Sequence, residues 1–278
     1  MEKNIIIDRL GEKQKRKEAI FGTTTSSGLI TKIAAQIPID FAVVHKESIF
    51  GMDGRLPLLA RIGYGGNCNK IVEREAENIL RFADELPVVV GIGAAEPYYN
   101  IDSITEKLLA RGYSGITHIP TSGGWVGDFG EAIDKGGCGY RQEVHLIEHW
   151  SKKGIFTVGY CFGSAQIQMM GAAGASVLAI YIPGTDDESY GWKKAYSEAE
   201  ALEEAERFVE VARCENPQAI VMITSGYDGN TPQIQEALYK TKASGYLGNE
   251  IIEGKAVYRA ISGKVAEYKK LSVGGQQQ

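Results

Sequence analysis

The feature that most constrains this chain is alternation. Short runs rich in β-branched residues, bounded by glycine or polar turns, take turns with longer stretches of helical spacing. Strands are expected at Ala19–Thr24, Phe41–Lys46, Pro87–Gly93, Gly115–Thr121, Phe156–Phe162, Val177–Pro183, Ala219–Ser225 and Gly245–Leu247, the last being the weakest signal. Helices are expected between them at Ser27–Gln36, Asn69–Ala83, Ser103–Arg111, Arg141–Lys153, Ser164–Ala175, Ser197–Cys214 and Thr231–Ala243, with a final helical stretch near Val257–Leu271. Ser103 with Glu106, and Ser197 with Glu200, read as capping boxes. Thr231 reads as a cap with Pro232 as the first helical residue, where its missing N–H costs nothing.

Strand–helix units repeated in this way predict a closed parallel barrel, the (β/α)8 or TIM fold. An open doubly wound sheet usually has fewer units and often begins with a Gly-rich phosphate turn. The chain's 278 residues suit a barrel, which needs about 250. Nothing like a linker breaks the pattern, so residues 1–271 read as one domain and 272–278 as a polar tail.

Composition narrows the function classes. With 44% hydrophobic and 23% charged residues, a wholly disordered chain is excluded. A net charge of −5 offers no basic surplus to replace counterions on nucleic acid, which argues against such a ligand and leaves room for a small anion held by one or two cations. The cysteines Cys68, Cys138, Cys161 and Cys214 form no C-x-x-C pair and read as small hydrophobes in a reducing compartment. The start is too charged for a signal peptide, and no apolar run approaches the ~18 residues of a membrane span. A cytoplasmic protein is expected.

In a parallel barrel the carboxyl ends of the strands and the loops after them form one mouth, and chemistry belongs there. Glu96, just past the third strand, could bind a metal through water or act as a base. His118 shares a strand face with Ile116 and Pro120. If that face points inward His118 reaches the mouth and could move protons; if outward it packs under a helix. Glu143 lies in the first turn of a helix, where its charge suits the positive helix end. Thr121, Tyr160 and the Ser225, Gly226 and Asp228 loop stand at other strand ends, the last placed to cradle an anion on backbone N–H groups. The segments Glu47–Cys68 and Ser122–Tyr140 are long for such loops and suit a lid or a contact between subunits. Asp186, Asp187 and Glu188 could bind Mg²⁺ or form a solvated turn. His145, Glu148 and His149 spell H-x-x-E-H, but on a helix expected outside the barrel, where a solvated face outweighs zinc. Gly91 and Gly93 lack the third glycine of a dinucleotide turn, so no nucleotide cofactor is expected.

Five segments carry a family likeness: F-G-M-D-G-R-L-P-L from Phe50, G-Y-G-G-N-C-N-K-I-V from Gly63, P-V-V-V-G-I-G-A-A-E-P-Y from Pro87, G-Y-S-G-I-T-H-I-P-T from Gly112 and G-C-G-Y-R-Q-E-V from Gly137. In that order the chain resembles the phosphoenolpyruvate hydrolase-like family of TIM-barrel signal transduction proteins, related to a domain of plant virus-resistance proteins. The resemblance implies a barrel of the phosphoenolpyruvate/pyruvate type, C–C or P–O bond chemistry next to a 2-oxo acid through an enolate, and Mg²⁺ in many relatives. The chain departs from the family pattern at His45–Ile49, at Glu96-Pro97 and at Thr224–Asp228.

The first functional expectation is a hydrolase or lyase of a small oxo acid. Arg55 would grip a carboxylate, Glu96, His118 or Glu143 would handle protons, and the Ser225 loop would hold the anionic end. The second is a binding or regulatory barrel without turnover. A third is Schiff-base chemistry at Lys46. A homo-oligomer is expected in any of them.

Overall fold

The computed structural model describes residues 1–61, 65–96, 100–182, 196–225, 230–249 and 251–273, with backbone alone at 251 and 252. Eight strands close into a parallel barrel in chain order: β1 (Ile20–Thr24), β2 (Phe41–Val44), β3 (Val88–Gly91), β4 (Gly115–Thr117), β5 (Phe156–Cys161), β6 (Val177–Tyr181), β7 (Ile220–Thr224) and β8 (Gly245–Leu247). β8 pairs with both β7 and β1, so no sheet edge is left open. All eight expected strands are present, most of them trimmed by a residue or more at their ends, where side chains turn from ladder to loop.

Alternation along each strand divides the core. Ile20, Phe41, Val43, Val89, Phe156, Val158, Val177, Ala179, Ile220 and Met222 fill the barrel. Their neighbours Val44, Val88, Val90, Ile116, Leu178, Ile180 and Val221 face the helices. Glycines stand where the barrel narrows: a Cβ on Gly245 would run into the backbone of Ile20.

The helices are α1 (Lys3–Lys15), α2 (Gly28–Gln36), α3 (Lys46–Met52), α4 (Cys68–Leu80), α5 (Ile101–Ala110), α6 (Gly127–Lys135), α7 (Tyr140–Lys152), α8 (Ser164–Ala172), α9 (Glu198–Glu215), α10 (Thr231–Thr241) and α11 (Ala256–Tyr268). Three differ from expectation. α1 precedes the first strand, and its Ile6 and Leu10, one turn apart, join the interior cluster with Ile20 and Phe41 at the strands' amino ends, closing the barrel floor. α3 begins where β2 was expected to continue, because the His45 side chain and backbone make a reciprocal cap with Ser48. α6 lies inside the expected Ser122–Tyr140 loop.

Caps shift too. Asn100, not Ser103, caps α5, and Asn230, one residue before Thr231, caps α10; each Asn side chain accepts from the N–H three residues on, that of Ser103 and that of Gln233. The Ser197–Glu200 box stands as read. Among the described residues no helix is long and apolar enough to cross a membrane.

Candidate active site

The carboxyl end of β4 is tied to α7 through one carboxylate. Glu143, buried in the first turn of α7, accepts from His118 Nδ1 at 2.6 Å and Thr121 Oγ1 at 2.5 Å on one oxygen. On the other it accepts from the Ser122 N–H at 2.7 Å and Ser122 Oγ at 2.6 Å. The far nitrogen of His118, Nε2, accepts from the Tyr160 N–H at 2.8 Å, so the ring proton sits on Nδ1 facing Glu143. His118 follows the parity of Ile116 and points outward to α7, fully buried, with Tyr140 edge-on to its ring at 5.5 Å. Of the two orientations the strand allowed, this is the one under a helix. Thr121 Oγ1 in turn accepts from the Gly123 N–H at 2.9 Å. Glu143, His118 and Thr121 therefore form one closed network, and their hydrogen-bonding groups are largely committed to the protein itself.

Beside this network a cavity of about 290 Å³ opens between the loops after β2, β3 and β4. Arg61, Cys68, Glu96, Ser122 and Trp125 stand on its wall with Glu143 and Thr121. Glu96 is half-buried and accepts from Asn67 Nδ2 at 2.7 Å and from the Cys68 N–H at 2.9 Å, bridging the end of β3 to the start of α4. Asn69 completes the bridge by exchanging two hydrogen bonds with the backbone of Gly93, at 2.9 and 3.3 Å. Gly93 has to be glycine here, since a Cβ would collide with Cys68 Sγ. Burial, then the Glu96 charge, pushes the Cys68 thiol well above its usual range, which makes it a wall and not a nucleophile. Arg61 is fixed by a buried two-pronged ion pair with Glu47, at 2.9 and 3.2 Å.

Other expected residues lie elsewhere. Arg55 is exposed, its guanidinium 5.1 Å from the Phe50 ring centre and off the cavity wall. The cation on that wall is Arg61, six positions on in the same loop. Tyr160 is buried in the barrel interior and presents its backbone to His118 and to Tyr140. Ser225 is buried, in left-handed conformation with φ of 62°, and its carbonyl accepts from Tyr246 Oη at 3.5 Å. Gly226, Asp228, Pro97 and the acidic run at 186–188 fall outside the described residues. His145, Glu148 and His149 stand on the outer face of α7, paired with one another, with Asp102 and with Lys152.

Two mouth residues were not singled out by sequence. Glu253, buried in the π-helical turn Ile251–Lys255 after β8, accepts from Thr24 Oγ1 at 3.0 Å and Ser26 Oγ at 3.1 Å. His45 is buried, and burial lowers it to about 4, leaving it neutral with Nδ1 accepting the Ser48 N–H. Glu47 and Arg61 stand among the polar residues expected at the mouth after the second strand, but nothing in the sequence paired them. Among the described residues no three of His, Cys, Asp and Glu converge as a metal set, and both oxygens of Glu143 are already filled. These donors do not fit a protein-built Mg²⁺ site.

A closed (β/α)8 barrel with a small cavity at its strand ends is the architecture of a TIM-barrel protein. The fold is shared with 2,3-dimethylmalate lyase, a PEP mutase/isocitrate lyase superfamily member, with a TM-score of 0.61 at 14% identity over 98% of this chain and 90% of that one. It is shared with phosphonopyruvate hydrolase, solved with oxalate and Mg²⁺, with a TM-score of 0.60 at 13% identity over 97% and 88% of the two chains. The phosphoenolpyruvate hydrolase-like family model matches residues 5–271, and the chain belongs to that family. Its sequence is similar to the ToMV susceptible protein tm-1(GCR26) of Solanum lycopersicum, 27% identical over 97% of this chain, and to the ToMV resistance protein Tm-1(GCR237) of the same plant, 26% identical over 98%. The chain spans 36% of the length of each of these curated relatives.

Proposed function

We propose that this protein is an enzyme that cleaves a C–C or P–O bond in a small 2-oxo acid or related anion, a hydrolase or lyase working through an enolate-like intermediate. The observation that carries the reading is the cavity of about 290 Å³ at the strand ends, with Arg61 and Glu96 both on its wall. Its size is at the small end of ligand pockets, suited to an acid of a few carbons. In this reading Arg61, held by Glu47, grips the substrate carboxylate and steadies negative charge as it moves onto the enolate oxygen. Glu96 moves the proton, and the Ser122 hydroxyl orients the substrate. Glu143 and His118 act by holding Thr121 and Ser122 in place. The phosphonopyruvate hydrolase and oxaloacetate acetylhydrolase structures, alike in fold, give the substrate class its support.

The test is to incubate the protein with oxaloacetate, phosphonopyruvate, phosphoenolpyruvate and 2-alkylmalates and follow products by proton and phosphorus NMR. Turnover of one of them is expected, reduced at least about 100-fold in Glu96→Gln and Arg61→Lys, the loss typical of a removed proton-transfer or charge-stabilising group. Full activity in both variants would remove these residues from the reaction.

A specific observation favours a second reading, a ligand-binding or signal-transduction barrel without turnover. Both nitrogens of His118 and both oxygens of Glu143 are engaged within the protein. Saturable binding of one of these acids with no product would favour it. In either reading we propose self-association, supported by α11, which buries none of its residues and exposes Tyr258, Ile261, Val265 and Tyr268 along one stripe.

A further inference from the structure

Lys46 is the first residue of α3, at the carboxyl end of β2, and is 1% exposed. Its ammonium donates to the Gly66 carbonyl at 2.8 Å and lies 5.2 Å from the centre of the Phe50 ring. Among the described residues no carboxylate stands within ion-pair distance of it. Glu47, the adjacent residue, is committed to Arg61, and Glu96 to the start of α4. A buried lysine without a counterion in contact is costly to keep charged, and burial lowers this one from its ordinary range. Cys68, Glu96 and Glu47 act on it electrostatically against that lowering, and the first two line the cavity. The carbonyl that holds it belongs to an exposed pair of glycines, Gly65 and Gly66, with φ of 77° and 96°. A Cβ on Gly66 would meet open space.

We propose that Lys46 is a nucleophilic amine that forms a Schiff base with the carbonyl of a 2-oxo acid when its hydrogen bond to the Gly66 carbonyl is released. The nitrogen lone pair attacks the carbonyl carbon, and the oxygen takes a proton and leaves as water, with solvent supplying and receiving the protons. The C=N bond that remains is an electron sink for cleavage at the neighbouring carbon. The substrate class rests on the proposed function, but formation of the adduct does not require turnover.

The experiment is to incubate the full chain with pyruvate and with glyoxylate, add borohydride, and map modified lysines by peptide mass. Hydride from the reagent reduces the C=N bond to a stable secondary amine. The expected result is an adduct on Lys46 at least about tenfold above any other lysine, as for an amine poised to react, and its loss in Lys46→Met. Adducts scattered over exposed lysines with Lys46 unmodified would overturn the proposal. Mapping on the unaltered chain decides this even where Lys46→Met fails to fold. An adduct with no cleavage of any acid keeps this inference and defeats the proposed function; cleavage with no adduct does the reverse.

Discussion

At Glu143 two carboxylate oxygens answer four donors from His118, Thr121 and Ser122. Removing them strands donors in a buried place, each at about 1–3 kcal/mol. Glu143→Ala is therefore expected to cost at least about 3 kcal/mol in urea unfolding, far beyond a typical surface change. A loss under 1 kcal/mol, with roughly the usual scatter of surface sites, would mean that the network is not held together by Glu143. His45 gives a pH signature. Burial lowers it from 6.5 to about 4, while Glu47 and Arg61 pull in opposite directions. A histidine depressed in the folded state contributes stability that is full above pH 6.5 and is lost as pH falls toward 4. That is about 3 kcal/mol at 1.36 kcal/mol per pH unit. His45→Asn keeps a good cap and removes the titration. Its stability should fall about 3 kcal/mol less than the parent's between pH 7.5 and 4; parallel curves would exclude His45 as the source.

At the scale of elements, the strands were legible because β-branched runs such as Val88–Val90 and Val177–Ile180 have few other uses. α1 was not legible: only Ile6 and Leu10 of its residues are buried, and its second half is polar, so a stripe of two residues left no periodic signal. α3 was hidden because Val43 and Val44 run straight into His45, whose capping role depends on a ring nitrogen that no pattern reports. In the site, position at a strand end marked Glu96 and His118, and the first turn of a helix marked Glu143. Their partners could not be read, since the contacts cross 28, 25 and 21 residues of chain. Leu10→Ala tests the floor of the barrel and is expected to cost about 2–5 kcal/mol, as for any large buried side chain. For α11, the change Ile261→Asp with Val265→Asp should shift sedimentation toward the monomer without altering the circular dichroism of the barrel. An unchanged sedimentation profile would place the self-association elsewhere.

For the whole molecule, the barrel's closure ties distant parts of the chain together. β8 pairs with β1, and Glu253 pins the segment after β8 to Thr24 and Ser26 beside it. The amino-terminal α1 fills the floor while loops from β2, β3 and β4 build the cavity above, so floor and mouth share one packed interior. We infer that residues 1–271 unfold as one cooperative unit, and that ligand bound at the mouth stabilises all of it. The most direct measurement is thermal unfolding of the full chain against a panel of small 2-oxo acids and phosphonates, run in parallel on Arg61→Lys. An acid present at ~100 times its dissociation constant should add about 2.7 kcal/mol of stability, and the gain should largely vanish in the variant. No shift with any acid, or an equal shift in both proteins, would contradict the assignment of the Arg61–Glu96 cavity as the place where the substrate binds.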